Sequence, residues 1–461
     1  MSIRKILCLV LALTFCSAAA LAETDLDAAN ARIAELEALV ELYKPFYDAQ
    51  IVAEYDGGII FRDDALEEYE YAISMYSQYG IDVAAYGLEA ELKQLAVEGM
   101  MQKKALEIRA AELGLDQLDE EVISRLESEA EAGFESYIEG VKSYVAGEET
   151  DEEKIRQAAI DYLTAQGYTL EKLTDTMKEN YVSEQIYNDT IQDVSVSDED
   201  VQAYYDSLVK ADQESYANES NYYSKRQSGS EIYWNPEGYR QIKQTLIKFS
   251  DEQAAQYSEL KSTLTALNSE LDALLNPPQA TEAPAETVEA TVPAESAEPT
   301  ETPVPRTEEE IRGDIAGIEK EIDALYESLM PTAQEVVNKF NEGTSFAELV
   351  EEYNQDAGMQ REPTKTIGYA VSAASTVYDP AFTEAAMSIE AIGGISEPAR
   401  GNYGIYVLYY EADITPGAVP LEGVRETVEK GALENKRNET YQNALKAWVD
   451  ALHPVYHLEN L

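Results

Sequence analysis

The sequence predicts an α+β protein: a helical lobe on the N-terminal side, then a small sheet-and-helix domain interrupted by a coiled helical hairpin. Three observations predict it. Apolar residues recur at three- and four-residue spacing through most of the chain to about Asn188, which is the helical period. Two later segments, 239–249 and 401–410, alternate or run on in β-branched and aromatic residues, as strands do. Between them, two heptad seams flank a tract rich in Pro, Thr, Glu and Ala.

Taken in order, Arg4 and Lys5 precede an apolar run over 6–22 that ends in Ala20, Leu21 and Ala22. A charged start, an apolar middle and small residues at the end make residues 1–22 a secretory signal, so the protein is expected outside the cytoplasm. Phe15 is too bulky to precede a lipoprotein cysteine at Cys16, and cleavage is expected after Ala22. That cut removes Cys8 and Cys16, the only cysteines, and leaves no thiol, disulfide or cysteine metal ligand. An uncleaved anchor is the alternative.

In 23–49, Leu26, Ala29, Ile33, Leu36, Val40 and Tyr43 form a narrow helical seam. Residues 51–60 read as two short strands around an Asp-Gly turn, and the acids after Phe61 suit the positive end of a helix. Residues 50–200 form the helical lobe, with a helix over 88–113 and an acidic one over 119–137. Its Tyr69, Tyr76, Met100 and Met101 read as core. Ser197 and Asp200 have the spacing of a capping box that opens a further helix.

The hairpin spans 251–330. Leucines fall at 260, 264, 267, 271 and 274, and Ile or Leu at 311, 315, 318, 322, 325 and 329. The tract between them, 277–305, has little to bury and reads as a disordered tip. An ordinary interdomain linker is the alternative, and Gly313 and Gly317 weaken the second helix.

The 89 acidic residues against 34 basic ones, a net charge of −55, argue against nucleic acid or an anionic membrane as partner. Basic polypeptide segments fit better, although a solvated surface is the simpler explanation of the charge.

After the hairpin, "GTSFAELVEEYNQD", "IGY", "DPAFTEAAMSI", "GGISEPA" and "YGIYVLYYE" follow one another. With the strand at 239–249, this series resembles the parvulin-type peptidyl-prolyl isomerases. With the signal, the helical lobe and "VSVSDEDVQAYYD", the chain resembles secreted foldases of the PrsA and SurA kind. The resemblance implies a parvulin-like domain at 201–250 and 331–412, with a four-stranded antiparallel sheet, and a C-terminal helix within 413–461 that packs back on the N-terminal lobe and buries Trp448. It also implies rotation about Xaa-Pro bonds, whose barrier of roughly 18–20 kcal/mol makes the uncatalysed change slow. The partners implied are unfolded or proline-containing exported polypeptides, with no cofactor and no metal.

Carried over by position, the resemblance places the acid or thiol of the site at Asp356 and the proline slot at Ile367, Tyr378 and Phe382. Two histidines usual in the family fall on Gln244 and Tyr406, and the glycine-rich turn keeps only Gly368. Gln244 and Tyr406 both donate and accept, so they can hydrogen-bond to each other across adjacent strands as two imidazoles would. Alternatively they fill the core of a domain kept for holding clients, and Asp356 is a turn residue. The only histidines, His453 and His457, read as surface residues of the tail. An isomerase, a holdase chaperone and a cell-surface spacer therefore stay open, as does the oligomeric state.

Overall fold

The structure is a computed structural model that describes residues 26–276 and 306–461. The signal at 1–22, both cysteines and the tract at 277–305 lie outside the described residues. Helix and sheet are mixed, and the chain divides into two compact units. One runs to Val196 and adds Leu433–Leu461; the other is Ser197–Ala432.

In the first unit, α1 (Leu26–Asp48) leads into the hairpin of β1 (Ile51–Tyr55) and β2 (Gly58–Phe61), which turns at Asp56 and Gly57. Helices α2 (Arg62–Gln78), α3 (Glu89–Glu112), α4 (Glu120–Val145), α5 (Glu152–Ala165) and α6 (Leu170–Ile191) follow. The acidic α4 continues two turns past the expected end at Tyr137, because Ile138 and Val141 pack against Ala159 and Leu163 of α5. Val52, Ala53, Ile60, Val97 and Met101 form a core that also takes in the chain's last residue, Leu461.

That last residue arrives through an element with no sequence signal. After α14 (Leu421–Asp450), β9 (Val455–Tyr456) pairs antiparallel with β1 at Ala53 and Glu54. His453 sits 2.8 Å from Asp56 and His457 3.0 Å from Glu54, so both histidines belong to this clasp. Trp448 is half-buried, where full burial was expected: one face carries the Arg109 guanidinium at 5.6 Å, and Tyr441 meets the ring edge-on.

The second unit opens on α7 (Asp198–Ser215), whose Ser197 and Asp200 make the reciprocal capping bonds their spacing implied. Then come α8 (Glu219–Ser228), β3 (Trp234–Asn235) and β4 (Arg240–Lys248). Helices α9 (Asp251–Leu275) and α10 (Glu308–Asn341) run antiparallel, with Gln253 bonded to Ser328 at one end and Arg306 to Glu270 at the other. No break separates the hairpin from the helix expected after Met330. Helix α10 passes straight through Pro331, whose ring is on the exposed side, where the carbonyl it leaves unbonded can meet water.

The rest of the unit is α11 (Phe346–Tyr353), the short α12 (Thr364–Ile367), β5 (Tyr369–Val371), α13 (Pro380–Ser388), β6 (Ala399–Gly401), β7 (Gly404–Asp413) and β8 (Gly417–Ala418). The sheet is antiparallel, in the order β5-β4-β7-β6. Gly404, at φ +142° and with the Ile247 carbonyl crowding the place a Cβ would take, allows the two-residue turn into β7. One sheet face carries Tyr409, stacked on Phe346, with Val336 and Val337 of α10 in the same core. The opposite face carries Ile242, Gln244, Leu246, Tyr369, Tyr406 and Leu408 in register, beneath Phe382 of α13.

Candidate functional site

The face beneath α13 gathers most of the residues singled out from the sequence. Pairing sets Leu246 opposite Tyr406 and Gln244 opposite Leu408, so Gln244 and Tyr406 are diagonal neighbours on one face. They do not bond to each other, as the sequence had suggested; each reaches a different carboxylate. Gln244 Nε2 donates to Asp356 Oδ2 at 2.7 Å, and Tyr406 Oη donates to Asp379 Oδ2 at 3.2 Å.

Asp356 is placed by a loop that runs along the part of β4 left unpaired beyond β5. Asn354 Oδ1 accepts from Leu246 N, and Gln355 N donates to the Leu246 carbonyl. The Asp356 carboxylate then accepts from Gly358 N at 3.0 Å, Met359 N at 3.0 Å and Tyr369 Oη at 2.6 Å, besides Gln244. It is both the turn residue and the centre of the polar cluster. A carboxylate only accepts, so Gln244 must present its NH₂ to it. The amide's Oε1 is consequently buried with no partner.

Asp379 caps α13 by accepting from Ala381 N, with Pro380 at the helix's first position, and it also accepts from Asn402 N. The expected slot residues Tyr378 and Phe382 face each other with ring centres 5.2 Å apart. Phe382 meets Tyr406 edge-on at 5.4 Å, Tyr369 lies 6.0 Å from Phe382, and Tyr223 of α8 packs edge-on against Tyr378 at 5.5 Å. Ile367 stands apart from this wall, half-buried at the end of α12. Tyr369, two residues on, faces Phe382 instead, because the alternation of β5 turns it toward α13.

Burial drives the Tyr369, Tyr378 and Tyr406 phenols far above their ordinary range, and the Asp356 carboxylate beside Tyr369 and Asp379 beside Tyr406 add to it. These hydroxyls stay protonated donors: Tyr378 Oη donates to the Ala370 carbonyl at 2.9 Å. Beside the wall lies a cleft of about 440 Å³, lined by Ser375, Thr376, Tyr378, Thr383, Glu384 and Met387. The Thr383 hydroxyl is buried without a partner. Among the described residues, no group of three or more histidine and acidic side chains is arranged to hold a metal ion.

Tyr369, Asp379 and Tyr223 were not singled out from the sequence. Asp379 was legible as an N-cap before proline, and Tyr369 by alternation with Val371. Tyr223 carried no signal, since its partner Tyr378 is far along the chain.

No family model matches the chain. A stretch of 106 residues is 30% identical to the foldase protein PrsA 3 of Bacillus anthracis, covering 23% of this chain and 36% of that one. A stretch of 110 residues is 36% identical to the foldase protein PrsA of Oceanobacillus iheyensis, covering 23% and 34%. The chain thus spans about a third of the length of the curated relatives it matches. A search of solved structures finds PrsA from Bacillus subtilis at 13% identity and a TM-score of 0.21, over 88% of this chain and 92% of that one. Over about a quarter of its length, therefore, this chain is a sequence relative of the PrsA foldases, in keeping with the resemblance its motifs carry.

Proposed function

We propose that the chain is a folding factor for exported proteins, whose second unit is a parvulin-type peptidyl-prolyl isomerase module that engages Xaa-Pro segments of unfolded chains. The signal-like segment at 1–22 and the relatives' name, foldase, support the extracytoplasmic setting. One observation carries the reading toward a bound peptide segment: Gln244 Oε1 is a buried acceptor without a donor, suited to a peptide N–H flanking the proline, beside an aromatic wall of Tyr378, Phe382 and Tyr406. Leaving such an acceptor unsatisfied costs about 1–3 kcal/mol, which a donor from a bound segment would recover. The aromatic wall offers a proline ring an apolar surface. Because an Xaa-Pro amide has no N–H, Gln244 Oε1 would position the segment, and only a donor that bonds better to the twisted amide than to the planar one would lower the barrier to rotation.

A second reading, a holdase that binds clients without isomerising them, is favoured by a different observation. Asp356 already accepts four hydrogen bonds, and the Tyr378 and Tyr406 hydroxyls are bonded within the fold. A protease-free isomerisation assay on Xaa-Pro peptides, run beside an aggregation assay with an unfolded client, separates the two. The isomerase reading expects acceleration that drops at least tenfold in Phe382→Ala. Suppressed aggregation with no acceleration, above all if Gln244→His with Tyr406→His gains it, would establish the holdase.

A further inference from the structure

We propose that α1 pairs in parallel with the α1 of a second copy of this chain, as a short two-stranded coiled coil. Helix α1 carries an apolar surface that its own fold leaves uncovered: Ile33 is 53% exposed, Val40 64% and Tyr43 55%, with Leu36 half-buried between them. The tertiary contacts described for the helix lie at its end. There Tyr47 packs edge-on against Phe61, and Asn460 Nδ2 donates to the Asp48 carbonyl.

The spacing identifies the occupant. Ile33 and Val40 fall at a positions and Leu36 and Tyr43 at d positions of successive heptads. β-branched residues at a with leucine at d is the pattern that favours two parallel strands. The flanks agree: in a parallel pair, the g residue of one helix meets the e residue five positions on in the other. Arg32 at g then faces Glu37 at e of the second copy, in both directions. Leu39 at g lies beside the stem of Lys44 at e. An anionic lipid surface is a poor alternative, because the helix carries Asp27, Glu35, Glu37, Glu41 and Asp48 against only Arg32 and Lys44. The seam is about two heptads long before Tyr47 turns to Phe61, so association should be weak and depend on concentration.

Sedimentation equilibrium of the full chain tests this independently of any catalytic role. The parent is expected to self-associate as concentration rises, and Val40→Asp to stay monomeric. Arg32→Glu and Glu37→Arg should each weaken association roughly tenfold, since two attractive pairs become repulsive at once. Mixing the two variants should restore it, because position 32 of each chain then meets a position 37 of opposite charge on the other. All three substituted positions are exposed, and unchanged circular dichroism checks that the variants fold. A parent that stays monomeric at every concentration would overturn the proposal. So would charge variants that associate like the parent, or a mixture no stronger than its components. Flotation with anionic vesicles that depends on Val40, in a chain that does not self-associate, would assign the surface to lipid and equally overturn it.

Discussion

At the scale of single residues, the site is a set of local donors competing for two carboxylates. Tyr369 Oη and Gln244 Nε2 share Asp356 Oδ2, so neither can be changed without altering what the other does. Tyr369→Phe removes one buried hydrogen bond to a charged group and leaves three. A loss of about 1–3 kcal/mol is expected in urea unfolding. The same residue governs an alkaline dependence. A phenol whose folded pKa lies above the unfolded value of about 10 adds stability that is fully present below pH 10. That stability is lost as pH rises from there toward the folded pKa. Tyr369, Tyr378 and Tyr406 all shift this way, so unfolding followed from about pH 8 to 12 should show stability falling above about pH 10, with a shallower fall in Tyr369→Phe. A fall of equal slope in both proteins would refute the assignment. Asp379 and Phe382 could be read from their neighbours in sequence, since caps and helix faces are local. The Gln244–Asp356 bond joins residues 112 positions apart and has no local signature.

At the scale of elements, the inserted hairpin has two parts with different work. Near its base, Tyr257, Leu260, Leu325 and Tyr326 belong to the same core as Phe249 and Tyr406, and Tyr326 Oη donates to the Gly401 carbonyl at 3.0 Å. Toward its tip, Leu267, Leu271 and Ile311 form a separate cluster. Arg400 fastens the base, reaching Asp323 at 2.7 Å and Glu327 at 2.8 Å from the end of the sheet. Joining Leu264 to Ile315 by a short glycine-rich turn should therefore leave the melting of the second unit within a few degrees of the parent. Cutting back to Ser250 and Ser328 should unfold it, because Phe249 loses both aromatic partners. Calorimetry of the two variants checks this, and similar melting of both would contradict it. The two seams were legible as heptads. That α10 runs unbroken through Pro331 was not, because the tolerance depends on which side of the helix the ring faces.

At the scale of the whole molecule, the chain's end closes the unit in which it began. β9 pairs with β1, His457 N donates to the Val52 carbonyl, Asn460 Nδ2 donates to the Ile51 carbonyl, and Leu461 is buried with Val52 and Val97. Removing residues 455–461 exposes that core and leaves the outer edge of β1 unpaired. The first unit should lose several kcal/mol, while the second keeps its protection against exchange. Hydrogen exchange resolved along the chain measures both, and unchanged protection of residues 51–61 would sink the expectation. The tail's helical periodicity was visible in sequence, but its final strand is two residues long and carries no alternation to read.

Features under the control of short-range physics were legible in the chain alone. The α+β class follows from hydrophobic period, the helix start at Ser197 from capping chemistry, and the two strands from alternation over 239–249 and an apolar run over 401–410, although the second strand starts only at Gly404 and runs on to Asp413. The motifs around Phe382 carried the resemblance to a foldase for the same reason, since they lie in one short stretch. Packing in three dimensions settled the rest: which acid each polar side chain meets, that Tyr369 and not Ile367 joins the aromatic wall, and that the last residues complete the first sheet. Those outcomes depend on strand register and on contacts between residues far apart in the chain, where many pairings suit the same local pattern and packing selects one.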